Sequence, residues 1–512
     1  MRCGARSTET GSTATREHLG TATSTALLFR TLGNTIGTPI LGGLLYARLP
    51  AEGAAPADYA AGLSVVFLAP VPVGLVLIVA ATRLRDQPLR EELAGERVLV
   101  ETAPMALAQD DHYTIISSDC HAGGSHTAYR EYLEEKYVAD FDAWRGEYKN
   151  PYKDLGDTRK LRNWDNDIRN GQQEADGIVA EVVFPNTVPP FFPSFVLFAK
   201  PPRPEEYDRR LAGVRAHNRW LVDWCNEFPE RRAGVGQIFL NDVDDALADI
   251  RWIKDNGLRG GILLPNIPPN TDYMKPLYDP CYDPVWALCQ ELEVPVTVHG
   301  GTGNPDYGPY AVSMLLYINE VPFYSQRPLV QFILSGVFER FPDLRFVMTE
   351  TGCQWVPPLL ERLDGVIRGI RDTGATGEIR YGSEHVLKRD ATEYFHQNCW
   401  MGVSQPGPDD VAARHAIGLD RFMWGSDYPH DEGTHPYTRE HLRSRFAGVD
   451  PTEVEMMLTT NAAKLYGFDL DALLPLARTF GPTVAEVATP IDAVPDKTLE
   501  RLSADMDPKA IK

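Results

Sequence analysis

The 512-residue sequence predicts an α/β protein, a closed (β/α)8 TIM barrel preceded by a short hydrophobic helical segment. Three observations point there. From residue 113 onward, short apolar and β-branched runs recur eight times, each followed by a stretch with helical spacing, the pattern of a parallel sheet built from βα units. Polar residues able to do chemistry stand at the ends of several of these runs, where barrels of this kind carry their active sites. The first 85 residues have another composition, apolar and rich in small residues, and predict membrane-type helices.

The eight predicted strands are residues 113–118 (YTIISS), 178–184 (IVAEVVF), 235–240, 261–264, 294–298, 345–349, 398–403 and 421–424. Between them, apolar residues three and four apart predict helices over 205–228, 242–255, 284–292, 327–340 and 452–466. The organisation that follows is a pair of membrane-type helices in residues 1–85, a linker over 86–111, the barrel over 112–470 and a C-terminal tail over 471–512. The tail, rich in Pro, Ala and Asp, is expected to hold only a short helix or two and otherwise to be loose.

Within the first part, residues 61–82 carry no charge, are long enough to cross a bilayer and are followed by Arg83, Arg85 and Arg90. Residues 31–46 form an earlier apolar stretch, in which Gly33, Gly37, Gly42 and Gly43 suit close helix packing in lipid. The run GTATSTALLFRTLGNTIGTPILGGLL with the second span resembles the last two membrane helices of a major facilitator drug-efflux transporter. Two helices are too few to make a transport path, so the first expectation for residues 1–85 is a chimeric or vestigial segment, and the alternative is a membrane anchor with contact through residues 31–82.

Charge narrows the choice of partners. With 50 Lys and Arg against 71 Asp and Glu, the net charge of −21 repels a phosphate backbone, and no basic run with interleaved aromatics counters it. Nucleic acid is excluded as a partner and a small molecule is favoured. Seven cysteines, with no CxxC pair, suit reduced thiols and a cytoplasmic catalytic domain.

The predicted strand ends supply the candidate site. Strand one runs into Asp119-Cys120-His121, strand five into His299, strand six into Glu350 and strand eight to Asp427. Side chains alternate along a strand, so Asp119 and His121 share a face and Cys120 turns the other way into the wall. Two carboxylates and two imidazoles, Asp119, His121, His299 and Asp427, suit a divalent metal, Zn²⁺ first and Mn²⁺ second given the share of oxygen donors. Asp427 and Glu350 are the candidate catalytic groups, Asp427 as proton shuttle and Glu350 as auxiliary base. His126, His217, His396 and His415 have no ligand-like setting and are expected to be structural.

The strings SSDCHAGG, VPVTVHGG, FPDLRFVMTETGCQW, MWGSDYPH and TTNAAKLYGFD resemble the amidohydrolase-related family that includes aminocarboxymuconate-semialdehyde decarboxylase and the resorcylate-type decarboxylases. The likeness spans roughly residues 114–470, and GSDYPH followed by NAAKLYGF is its most specific part. It implies a TIM barrel of the metal-dependent hydrolase type acting on small organic acids, amides or esters. Two departures stand out. Ala122-Gly123 follows His121 where many relatives carry a second histidine, and Glu350 stands where strand six usually ends in histidine.

The leading expectation is a hydrolase in which metal-activated water attacks an amide, ester, lactone or acid derivative. The runner-up is a metal-dependent non-oxidative decarboxylase of an aromatic or muconate-type acid, with Asp427 protonating the carbon that loses carbon dioxide. A catalytically impaired binding protein is the third reading. The segments PNTVPPFFPSFVLF and YAVSMLLYINEVPFYS read as unusually apolar loops, which line a pocket for an aromatic or apolar substrate or cover a homodimer contact. Substrate-side candidates are Trp164, Phe191, Phe192, Arg389 and His430, with Asp431 beside the last.

Overall fold

The computed structural model describes residues 107–148, 161–197, 199–269 and 271–497. The predicted helical pair, with its membrane expectation, and most of the linker lie outside the described residues. Among the described residues no helix is long and apolar enough to cross a membrane.

Eight parallel strands follow one another in chain order around the sheet. They are β1 (Ile115–Ala122), β2 (Ile178–Pro185), β3 (Arg232–Gln237), β4 (Gly261–Leu263), β5 (Val296–His299), β6 (Phe346–Thr349), β7 (Cys399–Ser404) and β8 (Phe422–Gly425). All eight predicted runs thus become strands, with shifted ends. The largest shift of a strand start is in β3, which begins at Arg232 rather than Val235. A charge at a strand's first position argues against a strand in sequence. Here the Arg232 guanidinium lies 3.5 Å from the centre of the Trp224 ring and donates to the Trp224 carbonyl at 2.7 Å, so it is buried with partners.

The ring closes between β8 and β1. The Asp427 amide donates to the Asp119 carbonyl at 2.8 Å, and the His121 amide donates to the Tyr428 carbonyl at 2.6 Å. Ser426, beside Asp427, shares a hydroxyl–hydroxyl bond with Ser117 at 3.0 Å and donates its amide to the same Ser117 oxygen at 2.9 Å. The residues that complete the barrel are those at which the sequence places its candidate ligands.

Around the strands, one large apolar cluster joins their outer positions to the helices, with Ile115, Val183, Ile262, Val296 and Phe346 packed among Trp286, Phe332 and Leu363. A second cluster joins Ile116, Val182, Val235 and Val347 to Ala462, Leu465, Leu473 and Ala477. The last two come from a helix at Leu470–Phe480, beyond the predicted barrel boundary. The tail is therefore not loose over its described part: a further helix, Val484–Ala488, buries Val484 and Val487 in the main core. Thr483 bridges to His112, and the Val484 amide donates to the Asp111 carbonyl at 2.9 Å, tying the end of the linker to the tail.

The segment after β5 also departs from expectation. Residues read as an apolar loop form most of a 22-residue helix, Ser313–Leu334, which ends before Gly336 (φ 73°), with a short helix Val337–Arg340 beyond. Pro322 and Pro328 inside it disguise the helical pattern in sequence. Leu315, Ile318 and Phe323 on this helix are 64%, 61% and 63% exposed, so the apolar character does not come from burial.

Candidate metal centre

Asp119 and His121 leave β1 on one side of the strand, as alternation requires, and Cys120 turns the other way toward Ser426 and Gln173. His299 closes β5. The three bring ligand atoms together: His121 Nε2 and His299 Nε2 each lie 3.3 Å from Asp119 Oδ1. Asp427 joins from beyond β8, its Oδ1 3.3 Å from His121 Nε2. All four side chains are fully buried.

These spacings fit a metal ion. Donors held about 2.0–2.1 Å from an ion at tetrahedral angles stand roughly 3.3–3.4 Å from each other. His121 Nε2, Asp427 Oδ1 and His430 Nδ1 are buried with no well-aligned hydrogen bond, although Asp427 Oδ1 lies 3.3 Å from His121 Nε2 and 2.7 Å from His430 Nδ1. A buried polar atom left unbonded is costly, and a shared cation satisfies the first two. The other ring nitrogens are set for this arrangement, His299 Nδ1 at 2.9 Å from the Gly300 carbonyl and His121 Nδ1 at 3.4 Å from the Pro185 carbonyl, which points Nε2 inward.

The electrostatics agree. Burial alone would raise the Asp119 carboxyl, but the charge of His299 and close contacts from both histidines outweigh it and hold the group well below the usual carboxylate range. Burial would lower both imidazoles, yet contact with Asp119 and Asp427 lifts His121 to about 9, and Asp119 with Glu350 lifts His299 to about 9. The anionic pocket draws positive charge onto its histidines. A divalent cation held by Asp119, His121, His299 and Asp427 would supply that positive charge in place of the protons.

Around this core stand groups of a second kind. Glu350 Oε2 lies 3.2 Å from His299 Nδ1, and burial, opposed by His299 and reinforced by Asp427 and Asp119, pushes its carboxyl up to about 7. His430 packs its ring 4.0 Å from that of His121 and places Nδ1 2.7 Å from Asp427 Oδ1, while its Nε2 meets Asn186 Oδ1 at 2.9 Å. Glu350 (φ 57°), Gln405 (φ 46°) and Asp427 (φ 59°) all adopt left-handed backbone just past β6, β7 and β8. Non-glycine residues rarely do so, and three together at one rim mark a strained, functional edge.

Sequence reasoning missed several contributors. Gln405 donates to Asp427 Oδ2 at 2.7 Å, and the Ser404 hydroxyl donates to Asp119 Oδ2. Phe184, the last aromatic residue of β2, stands 4.8 Å from the His299 ring and 6.0 Å from that of His121, an aromatic wall beside both. Behind β1, the buried Arg169 donates to the His121 carbonyl at 2.7 Å and to Glu181 Oε1 at 2.9 Å. Glu181 also accepts from Gln173 at 2.7 Å. A glutamate inside the apolar run IVAEVVF is out of place in sequence but names no partner, and Ser404 and Gln405 carry no motif.

The substrate-side candidates scatter. His430 belongs to the centre. Trp164 is half-buried against the main core, its carbonyl accepting from Trp224 Nε1 at 3.2 Å. Phe191 sits edge-on to Phe141 at 6.0 Å in an outer aromatic cluster. Phe192 stacks on Phe239 at 6.0 Å and lines a separate cavity. Arg389 lies over the Tyr394 ring at 4.6 Å and bonds Gln397, which in turn bonds the Pro342 carbonyl ahead of β6, at the opposite end of that strand from Glu350. The structure brings neither Trp164, Phe191 nor Arg389 into contact with the ligand cluster.

Fold and centre together define a metal-dependent barrel enzyme, with carboxylates and imidazoles gathered at the ends of its strands. Residues 161–468 match the amidohydrolase family (Amidohydro_2), and the chain belongs to it. Gamma-resorcylate decarboxylase of Rhodococcus jostii (strain RHA1) is 24% identical over 276 residues, covering 52% of this chain and 79% of that protein. Two solved structures share the fold. A 5-carboxyvanillate decarboxylase of Novosphingobium aromaticivorans, with bound manganese and 3-methoxy-4-hydroxy-5-nitrobenzoic acid, matches with TM-score 0.53 at 18% identity, over 71% of this chain and 99% of that one. An amidohydrolase of Mycobacterium avium subsp. paratuberculosis K-10 matches with TM-score 0.50 at 20% identity, over 69% and 99%.

Proposed function

We propose that the chain is a divalent-metal-dependent, non-oxidative decarboxylase of a hydroxylated aromatic acid. The observation that carries this reading is the Asp427–His430 pair, 2.7 Å apart at the edge of the ligand cluster, a carboxylate with its own proton-holding partner. The relatives favour it over the hydrolytic expectation, since the Rhodococcus jostii and Novosphingobium aromaticivorans proteins are decarboxylases by name. Asp119, His121 and His299, with Asp427 at their edge, would hold the ion. When bound, the ion would supply Lewis acidity that draws charge away from a substrate acid held beside it. Both zinc and manganese suit the donors, and the manganese of the Novosphingobium aromaticivorans structure raises the weight of the second.

Asp427 is held below its ordinary range because the charge of His430 and a close contact from His121 outweigh the effect of burial, so it rests as the carboxylate. Its neighbour His430 is raised, chiefly by the charge of Asp427 acting against burial, and stores the proton. That proton passes from Nδ1 to Asp427 and on to the ring carbon bearing the carboxylate. The electron pair of the breaking C–C bond stays with the ring, which accepts the proton as carbon dioxide leaves. Asn186 fixes the orientation of the His430 ring, Gln405 that of Asp427, and Phe184 offers an aromatic face to the substrate.

Purified full-length protein loaded with Zn²⁺ or Mn²⁺ is offered a panel of ortho-hydroxylated benzoates alongside an amide and lactone panel. Carbon dioxide release is expected, together with a loss of about a hundredfold or more in kcat for Asp427→Asn, the scale of a general acid. Turnover of amides or lactones without carbon dioxide would restore the hydrolase. Protein that holds no stoichiometric metal and turns over neither panel would point to a binding protein. The same reading pairs two copies through the exposed row Leu315, Ile318 and Phe323. Leu315→Lys with Ile318→Lys should then convert a dimer to a monomer in sedimentation, and a monomeric parent protein rules this out.

A further inference from the structure

Beside the metal centre, and not lined by any of its four ligands, the structure contains a cavity of about 270 Å³. It lies over β3 and β4, between the loop that follows β2 and the loop that follows His299. Phe192, Val196, Phe239 and Leu264 make it largely apolar, yet Arg210 and Gln237 also line it. Arg210 is only 4% exposed, and its Nε has no hydrogen-bond partner. Its Nη2 donates to the Lys200 carbonyl at 2.8 Å, and its one carboxylate neighbour, Glu206, is 3.8 Å away and half exposed. Gln237 is 2% exposed, and both side-chain polar atoms, Nε2 and Oε1, are unpartnered. Its backbone is fixed by Asn218, which donates to the Gln237 carbonyl at 2.8 Å and accepts from the Gln237 amide at 2.9 Å. The point from which the unbonded side chain departs is therefore fixed.

A guanidinium buried without a close counter-ion, lying over the Phe192 ring at 4.3 Å, is an incomplete arrangement in a low-dielectric site. So is a buried primary amide with neither donor nor acceptor used. The unused donors of both are met by one anionic oxygen pair: a carboxylate would accept from Arg210 Nε and Gln237 Nε2, leaving Gln237 Oε1 to a donor elsewhere on the ligand or a water, and charge-assisted bonds of this kind are the strong ones. The remaining wall accepts an apolar body, and the volume suits one or two fused rings or a short alkyl chain.

We propose that this cavity is a second ligand site, distinct from the metal centre, that takes an apolar monocarboxylate with its acid group on Arg210 and Gln237. The chemistry fits two sources alike, the far end of an extended substrate whose other end is at the centre, or a separate small acid that binds alone. The loop forming one wall connects the two sites, for Thr302 Oγ1 donates to the His299 carbonyl at 2.8 Å and the Tyr317 hydroxyl donates to the Gly301 carbonyl at 3.0 Å. An ion pair, Lys200 with Asp306 at 2.8 Å, joins the two loops that flank the cavity.

The probe is 2-naphthoate, titrated calorimetrically into full-length protein as isolated and again after dialysis against a chelator. Saturable binding is expected in both, at least tenfold tighter than for the neutral 2-naphthalenemethanol, and at least tenfold weaker in Arg210→Met and in Gln237→Met. Because a buried arginine can be needed for folding, Gln237→Met, which keeps volume, decides the matter if Arg210→Met does not fold. Binding lost with the metal, unchanged in Gln237→Met, or equalled by the alcohol overturns the proposal. Competition by a turned-over substrate assigns the site to the substrate's far end, and independence assigns it to a separate acid. The readout needs no catalysis, so failure of the decarboxylase assay leaves it standing, and the reverse holds as well.

Discussion

Replacing Gly425 with alanine gives the sharpest test that Asp119 is the hub of the metal centre. Gly425 ends β8 at the point where β1 passes, and a methyl group there would lie 2.7 Å from Asp119 Cβ. Ordinary contact between such carbons begins at about 3.5 Å, so the strands must part by roughly 0.8 Å or Asp119 must shift by as much. Asp119 has a short side chain anchored at both ends, by the His121 and His299 contacts to Oδ1 and the Ser404 bond to Oδ2, and cannot swing aside. Metal ligands tolerate about 0.2 Å. The displacement is several times larger, so affinity for Zn²⁺ and Mn²⁺ should fall by about 10- to 100-fold or more. Overpacking should also cost about 1–3 kcal/mol of stability. Elemental analysis and metal titration, run beside Gly171→Ala, check this. Gly171 lies in the helix Asn166–Asp176 with open space around its Cβ position, so that control should bind metal normally. Parent-like metal affinity in Gly425→Ala would show that Asp119 does not ligate.

Arg169→Met should destabilise the protein by about 3–5 kcal/mol, because Glu181, 2% exposed, would keep its charge without its principal partner. Urea denaturation measures it, the double variant with Glu181→Leu should recover much of the loss, and a single-variant cost below about 1 kcal/mol would contradict the account. Burial depresses His217 to about 3, below its unfolded value of about 6.5. Its contribution is thus fully present above pH 6.5 and is lost as pH falls toward 3, at about 1.4 kcal/mol per unit. His217→Asn, which keeps an acceptor for the Tyr129 hydroxyl at the Nδ1 position, should flatten the acid limb of the stability curve by that slope, and an unchanged limb would refute it. Adding Zn²⁺ or Mn²⁺ at about 100 times Kd should stabilise the chelator-treated protein by about 2.7 kcal/mol. Asp427→Asn should reduce that gain, and a variant that keeps all of it removes Asp427 from the ligand set.

How much of this was legible in sequence depended on which atoms satisfied each residue. β1 and its ligands were readable because YTIISS runs straight into Asp119-Cys120-His121 and alternation does the rest. β3 began three residues early because Arg232 is buried by the Trp224 ring, a partner eight positions away that no strand pattern encodes. Glu181 and Arg169 were hidden for the same reason, since each looks misplaced until the other is seen. Ser404 and Gln405 have no motif; they matter only because β7 ends beside Asp119 and Asp427. The helix Ser313–Leu334 was lost to its two prolines and an apolar face turned to solvent. Arg389 had the right chemistry for a substrate carboxylate, but aromatic stacking and Gln397 hold it elsewhere, and its competitor for that task, Arg210, stood on a helix that read as ordinary packing.

The position of the centre at the barrel seam ties catalysis to folding. Most adjacent strands are joined by ladders along their length, but β8 and β1 are joined chiefly at the rim, by bonds between Asp427 and Asp119, between Tyr428 and His121, and through Ser426 and Ser117. The same three-residue stretches carry three of the four candidate ligands. Backbone closure therefore sets the ligand spacing, and a cation drawn to the ligands holds the closure. The left-handed backbone of Asp427 and Glu350 fits this arrangement, because strain of that kind persists only where its surroundings over-determine it. A ring fully closed before the rim would leave no need for side chains to finish it. A ring finished at its candidate ligands would couple the loss of a bound ion to the loosening of the barrel, and the contacts that position the buried carboxylates also keep them from water.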